Sequence, residues 1–205
     1  GGPDSTRQNL PHAHCALFNA AGTELYVSEF SADAVTRYDV ATRQGKRIQQ
    51  PSDFGPRHIV LNRDESKAYV LGELSGAVAV IDMESDSVIQ TVCADTVHAR
   101  GSADIRLSPD GRFLYASNRL QNDGIAIFRV GEDGFLTYAS YQNTGIHPRN
   151  FNITPNGKFL LAACRDSGFI QIFRRDIRTG LLSDTGRTIV LDKPVCIVFA
   201  LSPNL

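Results

Sequence analysis

Residues 105–130, "IRLSPDGRFLYASNRLQNDGIAIFRV", decide the fold. They hold three short apolar runs, "IRL", "FLYAS" and "GIAIF", separated by two polar turns, the first built on Pro109-Asp110-Gly111. Short runs of β-branched and aromatic residues bounded by Gly, Pro, Asn and Asp predict strands joined by tight turns. The same plan recurs three times, as "CALFNAAGTELYVSEFSADAVTRYDV" (15–40), "IVLNRDESKAYVLGELSGAVAVIDM" (59–83) and "FNITPNGKFLLAACRDSGFIQIFRR" (151–175). Their first turns fall on Ala21-Gly22, Asp64-Glu65-Ser66 and Pro155-Asn156-Gly157, and each unit trails into a less regular fourth strand ("IQQ", "VIQTV", "LTYASYQ", "TIVL").

Tyr26, Tyr69, Tyr115 and Leu161 hold the same place in the four units, at spacings of 43, 46 and 46 residues. Four short strands repeated at this period, with no helical periodicity between them, predict an all-β array of propeller blades. The blades are expected over 11–54, 55–101, 102–146 and 147–192. The following "KPVCIVF" restarts the pattern, so 193–200 is expected as the orphan closing strand of a further unit. Four blades and one strand are expected not to close a ring. Missing N-terminal blades, or a second chain, are expected to complete it, because an uncovered blade face and a bare strand edge invite aggregation.

Composition narrows the function. A net charge of -1 across 205 residues offers no electrostatic footprint for nucleic acid or a membrane surface. No apolar run reaches the roughly 20 residues of a spanning helix. "GGPDSTRQNLPHAH" has neither a basic stretch nor an apolar one, and is expected to carry no signal peptide. Cys15, Cys93, Cys164 and Cys196 form no CxxC pair, so they read as free thiols in a reducing, cytoplasmic setting, and no metal site or cofactor is suggested.

The register of the repeat gathers charged residues. Twelve residues before each anchor stand His14, Arg57, Ala103 and Arg149, at the start of each first strand. Four after it stand Phe30, Glu73, Arg119 and Arg165, at the end of each second strand. Antiparallel neighbours set the start of one strand beside the end of the next. Arg57 and Glu73 are therefore expected side by side, with His14 and Arg149 on the same rim of other blades. "PHAH", "GPRH" and "HPRN" also place a proline close to each of these groups, and proline holds φ still. His12 competes with His14 within "PHAH", and is otherwise expected as a substrate-binding group. His58, His147, His98, Arg119 and Arg165 are expected around the mouth, the first two and Arg119 as substrate-binding groups. Asp104 and Arg106 read as a blade-to-blade pair.

The stretches "RQNLPHAHCALFNAAGTELYVSE", "GPRHIVLN", "GEL", "SADIRLSPDGRFLYASNR", "HPRNFNITPNGKFLLAA" and "KPVCIVF" together resemble the seven-bladed β-propeller lactonases, which include the propeller type of 6-phosphogluconolactonase and the fungal carboxy-cis,cis-muconate cyclase. The resemblance implies a catalytic His, Arg, Glu and Arg, which fall by motif on His14, Arg57, Glu73 and Arg149. It implies a small-molecule lactone substrate in carbohydrate metabolism and the pentose phosphate pathway, and about three further N-terminal blades.

Those groups suit the chemistry. Lactone hydrolysis needs a base for water; Glu73 and His14 are the candidates, with Glu73 expected as base or proton relay, His14 as its acid/base partner and the two arginines as electrostatic clamps. It also needs donors for an oxyanion, which planar guanidiniums supply while staying protonated. Lactonisation of the muconate type would use the same groups in reverse. Loss of Glu73 or Arg149 is expected to lower turnover and spare folding, as for rim residues. A second reading is a non-catalytic binding module, since "KAYVLGELSGAVAVIDMESDSVIQTV" is similar to surface-layer propeller repeats. The clustered charges favour the enzyme, because interaction surfaces favour aromatics over charge.

Overall fold

The computed structural model describes residues 2–200. Its strands form four antiparallel sheets of four, each in chain order. The first blade holds β1 (Ala13–Phe18), β2 (Glu24–Glu29), β3 (Ala34–Asp39) and β4 (Gly45–Gln49). The second holds β5 (Pro56–Leu61), β6 (Lys67–Gly72), β7 (Ala77–Asp82) and β8 (Ser87–Cys93). The third holds β9 (Ile105–Leu107), β10 (Phe113–Asn118), β11 (Gly124–Val130) and β12 (Leu136–Asn143). The fourth holds β13 (Pro148–Ile153), β14 (Phe159–Cys164), β15 (Phe169–Arg175) and β16 (Leu182–Val190).

The repeat is exact enough to set register. Tyr26, Tyr69, Tyr115 and Leu161 each lie opposite the residue nine positions earlier: Leu17, Val60, Arg106 and Asn152. The turn between first and second strands explains why. Asn19, Asn62, Ser108 and Thr154 each accept a backbone N–H three residues on, at Gly22, Glu65, Gly111 and Gly157. All four of those donors have positive φ, and Glu65 alone lacks the glycine that makes it easy.

Blades stack in sequence order. Tyr26, Val35, Ile48, Phe54, Val70 and Ile81 fill the first interface, Tyr69, Leu71, Val80, Leu114 and Phe128 the second, and Tyr115, Ile127, Phe151, Leu160 and Phe173 the third. Polar ties cross the same joints: the Tyr69 hydroxyl donates to the Gly134 carbonyl at 3.0 Å and the Tyr115 hydroxyl to Gly180 at 2.7 Å. First strands sit beside one another, β5 next to both β1 and β9. The site-bearing strand starts therefore share one rim of the blade array.

Residues 193–200, expected as a closing strand, have no ladder partner among the described residues. Ile197 instead donates its N–H to Asn150 Oδ1 at 2.7 Å, accepts from Asn152 Nδ2 at 3.0 Å, and packs on Ala163 and Ile170. No helix is long and apolar enough to cross a membrane among the described residues.

Candidate functional site

Three first strands break register at their starts. The pairing shifts between Ala13 and Cys15, between Pro56 and Ile59, and between Pro148 and Asn150. The residues displaced are His14, then Arg57 and His58, then Arg149. A β-bulge bends the strand and re-aims the side chain it displaces. Each predicted group on a first strand thus leaves the ladder at the point where its side chain turns to the mouth. In the third blade Ala103 holds this position, and β9 begins only at Ile105.

Arg57 and Glu73 meet as their register requires, Nε to Oε2 at 2.7 Å, and both are buried. A second Arg57 nitrogen donates to the Ala103 carbonyl. Glu73 Oε1 takes Arg119 at 3.2 Å and also pairs with Arg7. One carboxylate therefore faces three guanidiniums. Two of them are almost wholly buried, their side chains 3% and 6% exposed for Arg57 and Arg119. Arg119 is further fixed by the Gly101 carbonyl at 2.7 Å.

His14, His12, Arg57, Glu73 and Arg149 line one pocket of about 430 Å³, together with Thr6, Arg7, Ala13 and Phe30. Arg149 is in no ion pair among the described residues, so its guanidinium is free to meet a ligand. His14 is exposed at the mouth, with its ring centroid 5.2 Å from that of His58. His58 is held from below: its Nδ1 lies 2.6 Å from Asp104 Oδ1. Asp104 is fully buried and also accepts from Asn150 Nδ2 at 2.6 Å, so it joins three blades. Its contact with Arg106, the expected pair, is longer, 3.4 Å.

The remaining groups spread around the rim. His12 sits against the Phe30 ring edge, with Nδ1 3.2 Å from Ser31 Oγ. His147 lies outside the pocket, 3.2 Å from Arg119, with Arg165 and Asp166 on its other side. His98 is exposed on the loop after β8. Arg7 was not signalled by the repeat because it precedes the first blade. Its visible signal was proximity: "RQNL" runs directly into "PHAH".

The electrostatics follow from this crowding. Burial opposes charge on Glu73, but Arg57, Arg119 and Arg7 outweigh it and hold the carboxyl below its ordinary 4.5. Burial, with Arg57, Arg149 and Arg7 adding to it against Glu73, brings Arg119 down to about 10. Desolvation, then Arg57 and His58, lower His14 to about 4. His14 is therefore neutral at pH 7, with a lone pair able to take a proton. Among the described residues no group of three His, Cys, Asp or Glu side chains is arranged to hold a metal ion.

The chain is similar to several known proteins. The curated 6-phosphogluconolactonase of Formosa agariphila is 33% identical over 200 residues, which cover 90% of this chain and 57% of that protein. A crystal structure of a candidate 6-phosphogluconolactonase from Bacteroides uniformis superposes with a TM-score of 0.91 at 51% identity, over 96% of this chain and 60% of that one. The periplasmic gluconolactonase of Pseudomonas aeruginosa gives 0.87 at 28% identity, over 94% and 58%. The chain spans about three fifths of the length of the curated relatives it matches. Residues 1–199 match the family described as "Lactonase, 7-bladed beta-propeller", and the chain belongs to that family.

Proposed function

We propose that these four blades carry the reactive rim of a lactonase that hydrolyses a sugar-phosphate or carboxylated lactone, as the 6-phosphogluconolactonases do. The observation that carries this reading is the convergence of Arg7, Arg57 and Arg149 with His14 on a mouth that holds one carboxylate, itself backed by the buried Arg119. Such a mouth attracts an anion and stabilises an oxyanion.

Of the two groups weighed as base, the geometry favours His14. Both Glu73 oxygens already accept from arginines, whereas His14 is neutral and open to the pocket. In this scheme His14 takes a proton from water as the water oxygen attacks the lactone carbonyl. Arg149 and Arg57 stabilise the tetrahedral oxyanion. The ring C–O bond then breaks, and the leaving alkoxide takes the proton back from His14. Glu73 holds the guanidiniums in place.

Further blades, from the same polypeptide or a second chain, would close a seven-bladed ring around this rim. Support comes from the seven blades of the family and the four described here. A cytoplasmic setting is supported by four unpaired cysteines.

The test is hydrolysis of 6-phosphogluconolactone and of unphosphorylated gluconolactone by the full-length protein, followed by acid release. Faster turnover of the phosphorylated lactone is expected. Absence of release from both, with lactonisation of a muconate, would move the reaction to the cyclase direction.

A further inference from the structure

The third blade places no charged group at the start of its first strand, where Ala103 stands. It supplies acceptors there instead. Its backbone at 103–104 is clamped to β10. Ala103 N–H donates to the Ser117 carbonyl at 2.8 Å, Asp104 N–H to Ser117 Oγ at 3.0 Å, and Ser117 N–H to the Asp104 carbonyl at 2.9 Å. Two acceptors project from this fixed segment. The Ala103 carbonyl takes Arg57, and the Asp104 carboxylate reaches the blades on either side.

Each carboxylate oxygen serves one of the bulged arginines. Oδ1 takes Nδ1 of His58, the residue after Arg57, at 2.6 Å. Oδ2 takes Nδ2 of Asn150, the residue after Arg149, at 2.6 Å, and the Phe151 N–H at 3.3 Å. Turning the Asn150 amide over would lose the Ile197 N–H, which its oxygen accepts at 2.7 Å. The groups facing the carboxylate are thus donors, Arg106 at 3.4 Å included, and the carboxylate is ionised. His58 then carries its proton on Nδ1, which leaves Nε2 a bare lone pair. That nitrogen lies 3.3 Å from Arg57 Nη1. A guanidinium only donates, so Nε2 accepts. Arg57 is therefore held along one edge, Nε by Glu73 and Nη1 by Ala103 and His58. Its Nη2 has no protein acceptor among the described residues, and Arg57 lines the pocket. What holds the closed edge sets the direction of the open one.

We propose that Asp104 is a positioning residue for the lactonase reaction: through His58 and Asn150 it fixes the two bulges that aim Arg57 and Arg149 at one oxyanion. The inference rests on the lactonase reading for its reaction, whereas the state of His58 can be read without turnover. An amide at position 104 has one acceptor oxygen where the site needs two. That oxygen goes to the Asn150 side, where two N–H groups and Arg106 converge. The amide NH2 then faces His58 and moves the imidazole proton to Nε2, against Arg57.

The experiment uses the full-length protein with Asp104→Asn, His58→Asn and His58→Gln, and 6-phosphogluconolactone as substrate. Asp104→Asn is expected to lower kcat about 10- to 100-fold, the scale of a misaimed group, with KM within about twofold, because the oxyanion exists only in the transition state. In the Arg149→Ala background the same substitution is expected to cost at least about threefold less, since part of its effect runs through Arg149. A smaller folded fraction would multiply equally in both backgrounds, so equal costs overturn the assignment, as does a wild-type kcat. If Asp104→Asn does not fold, His58 carries the test. His58→Asn keeps a donor for Asp104 and loses the acceptor for Arg57, while His58→Gln is long enough to offer both. A kcat lowered about 10-fold in His58→Asn and recovered in His58→Gln supports the assignment. A wild-type kcat in His58→Asn, or an equal loss in both, overturns it. Imidazole 15N shifts give the second readout. Wild-type His58 is expected to be neutral with its proton on Nδ1, and in Asp104→Asn to carry it on Nε2. A wild-type His58 protonated on Nε2, or the same tautomer in both proteins, sinks the assignment and leaves the lactonase reading intact. A wild-type protein that turns over no lactone, yet shows this exchange of tautomers, sinks the lactonase reading and keeps Asp104 as the group that orients Arg57.

Discussion

Glu73 carries one negative charge against three guanidiniums, two of them out of water. It was expected to be a rim residue whose loss spares folding. Its burial changes that expectation, because removing one partner of a buried ion pair leaves the other uncompensated. Glu73→Gln is expected to lower unfolding free energy by about 3 kcal/mol, as well as lowering turnover at least about 100-fold. Arg149 is in no ion pair among the described residues and lies partly open, so Arg149→Ala is expected to cost turnover on that scale with little change in Tm. Denaturant melts of both variants separate the two roles, and equal stability losses would contradict the assignment. The acid side of the pH profile gives a second test. His14 at about 4 is neutral above that pH, so its capacity as base is present at pH 5 to 7 and is lost as pH falls through about 4. An acid limb in kcat/KM near pH 4 is expected; a limb near 6.5 would mean that His14 is not desolvated by its neighbours or is not the base. Glu73 works in the same direction on stability. Its carboxyl is depressed below 4.5, so the stabilisation it lends is present above that pH and is lost on further acidification through its folded-state value. Glu73→Gln should therefore flatten the acid dependence of Tm.

The elements that aim these residues depend on close backbone approach. Gly72 ends β6 just before Glu73. A Cβ there would lie 2.3 Å from Ser75 Oγ and 2.7 Å from the Phe54 carbonyl oxygen. The hydroxyl can rotate away, but the carbonyl cannot, since it accepts from Leu74 and Ser75 N–H. Gly72→Ala is expected to destabilise the chain by about 1–3 kcal/mol, the usual scale of overpacking, and to weaken turnover by displacing Glu73. A wild-type Tm and turnover for this variant would show that the 54–55 loop moves freely. The same elements explain what could be read from sequence. Short turns of fixed conformation make positions in different blades equivalent, so counting from Tyr69 found Arg57 and Glu73 correctly as neighbours. The bulges at His14, Arg57 and Arg149 were legible only as prolines close to charges, because sequence gives a proline's φ but not a ladder's slip. Arg7 lay outside the repeat and had no register to be counted in. Arg119 was expected as a substrate-binding group on the rim; its ion pair with Glu73 is set by the reach of a long side chain across a blade joint, which no spacing encodes.

At the scale of the molecule, each blade face is apolar and needs a cover. The first three joints provide it for the faces between blades, and Ile127, opposite Tyr115 in the third blade, is 1% exposed. Its counterpart in the fourth blade, Ile172 opposite Leu161, is only partly buried, on a groove of about 490 Å³ that Phe159 and Leu161 also line. At the other end of the stack Leu10, Pro11, Val27 and Tyr38 border a second hollow of about 380 Å³. Val190 and Val198 are 85% and 78% exposed. Surface of this kind at both ends of one stack drives association until it is covered. The 205-residue chain is therefore expected to sediment as species heavier than a single chain at micromolar concentrations, and to melt without a sharp two-state transition. Because the two ends differ in shape and sequence, such contacts would join unlike faces, and the species should grow with concentration instead of stopping at a dimer. Charged substitutions at Leu161 and Ile172 should reduce that growth while leaving the three inner joints intact. A monodisperse monomer with one cooperative melt would refute the expectation, and would mean that these end faces are stable in water as they stand.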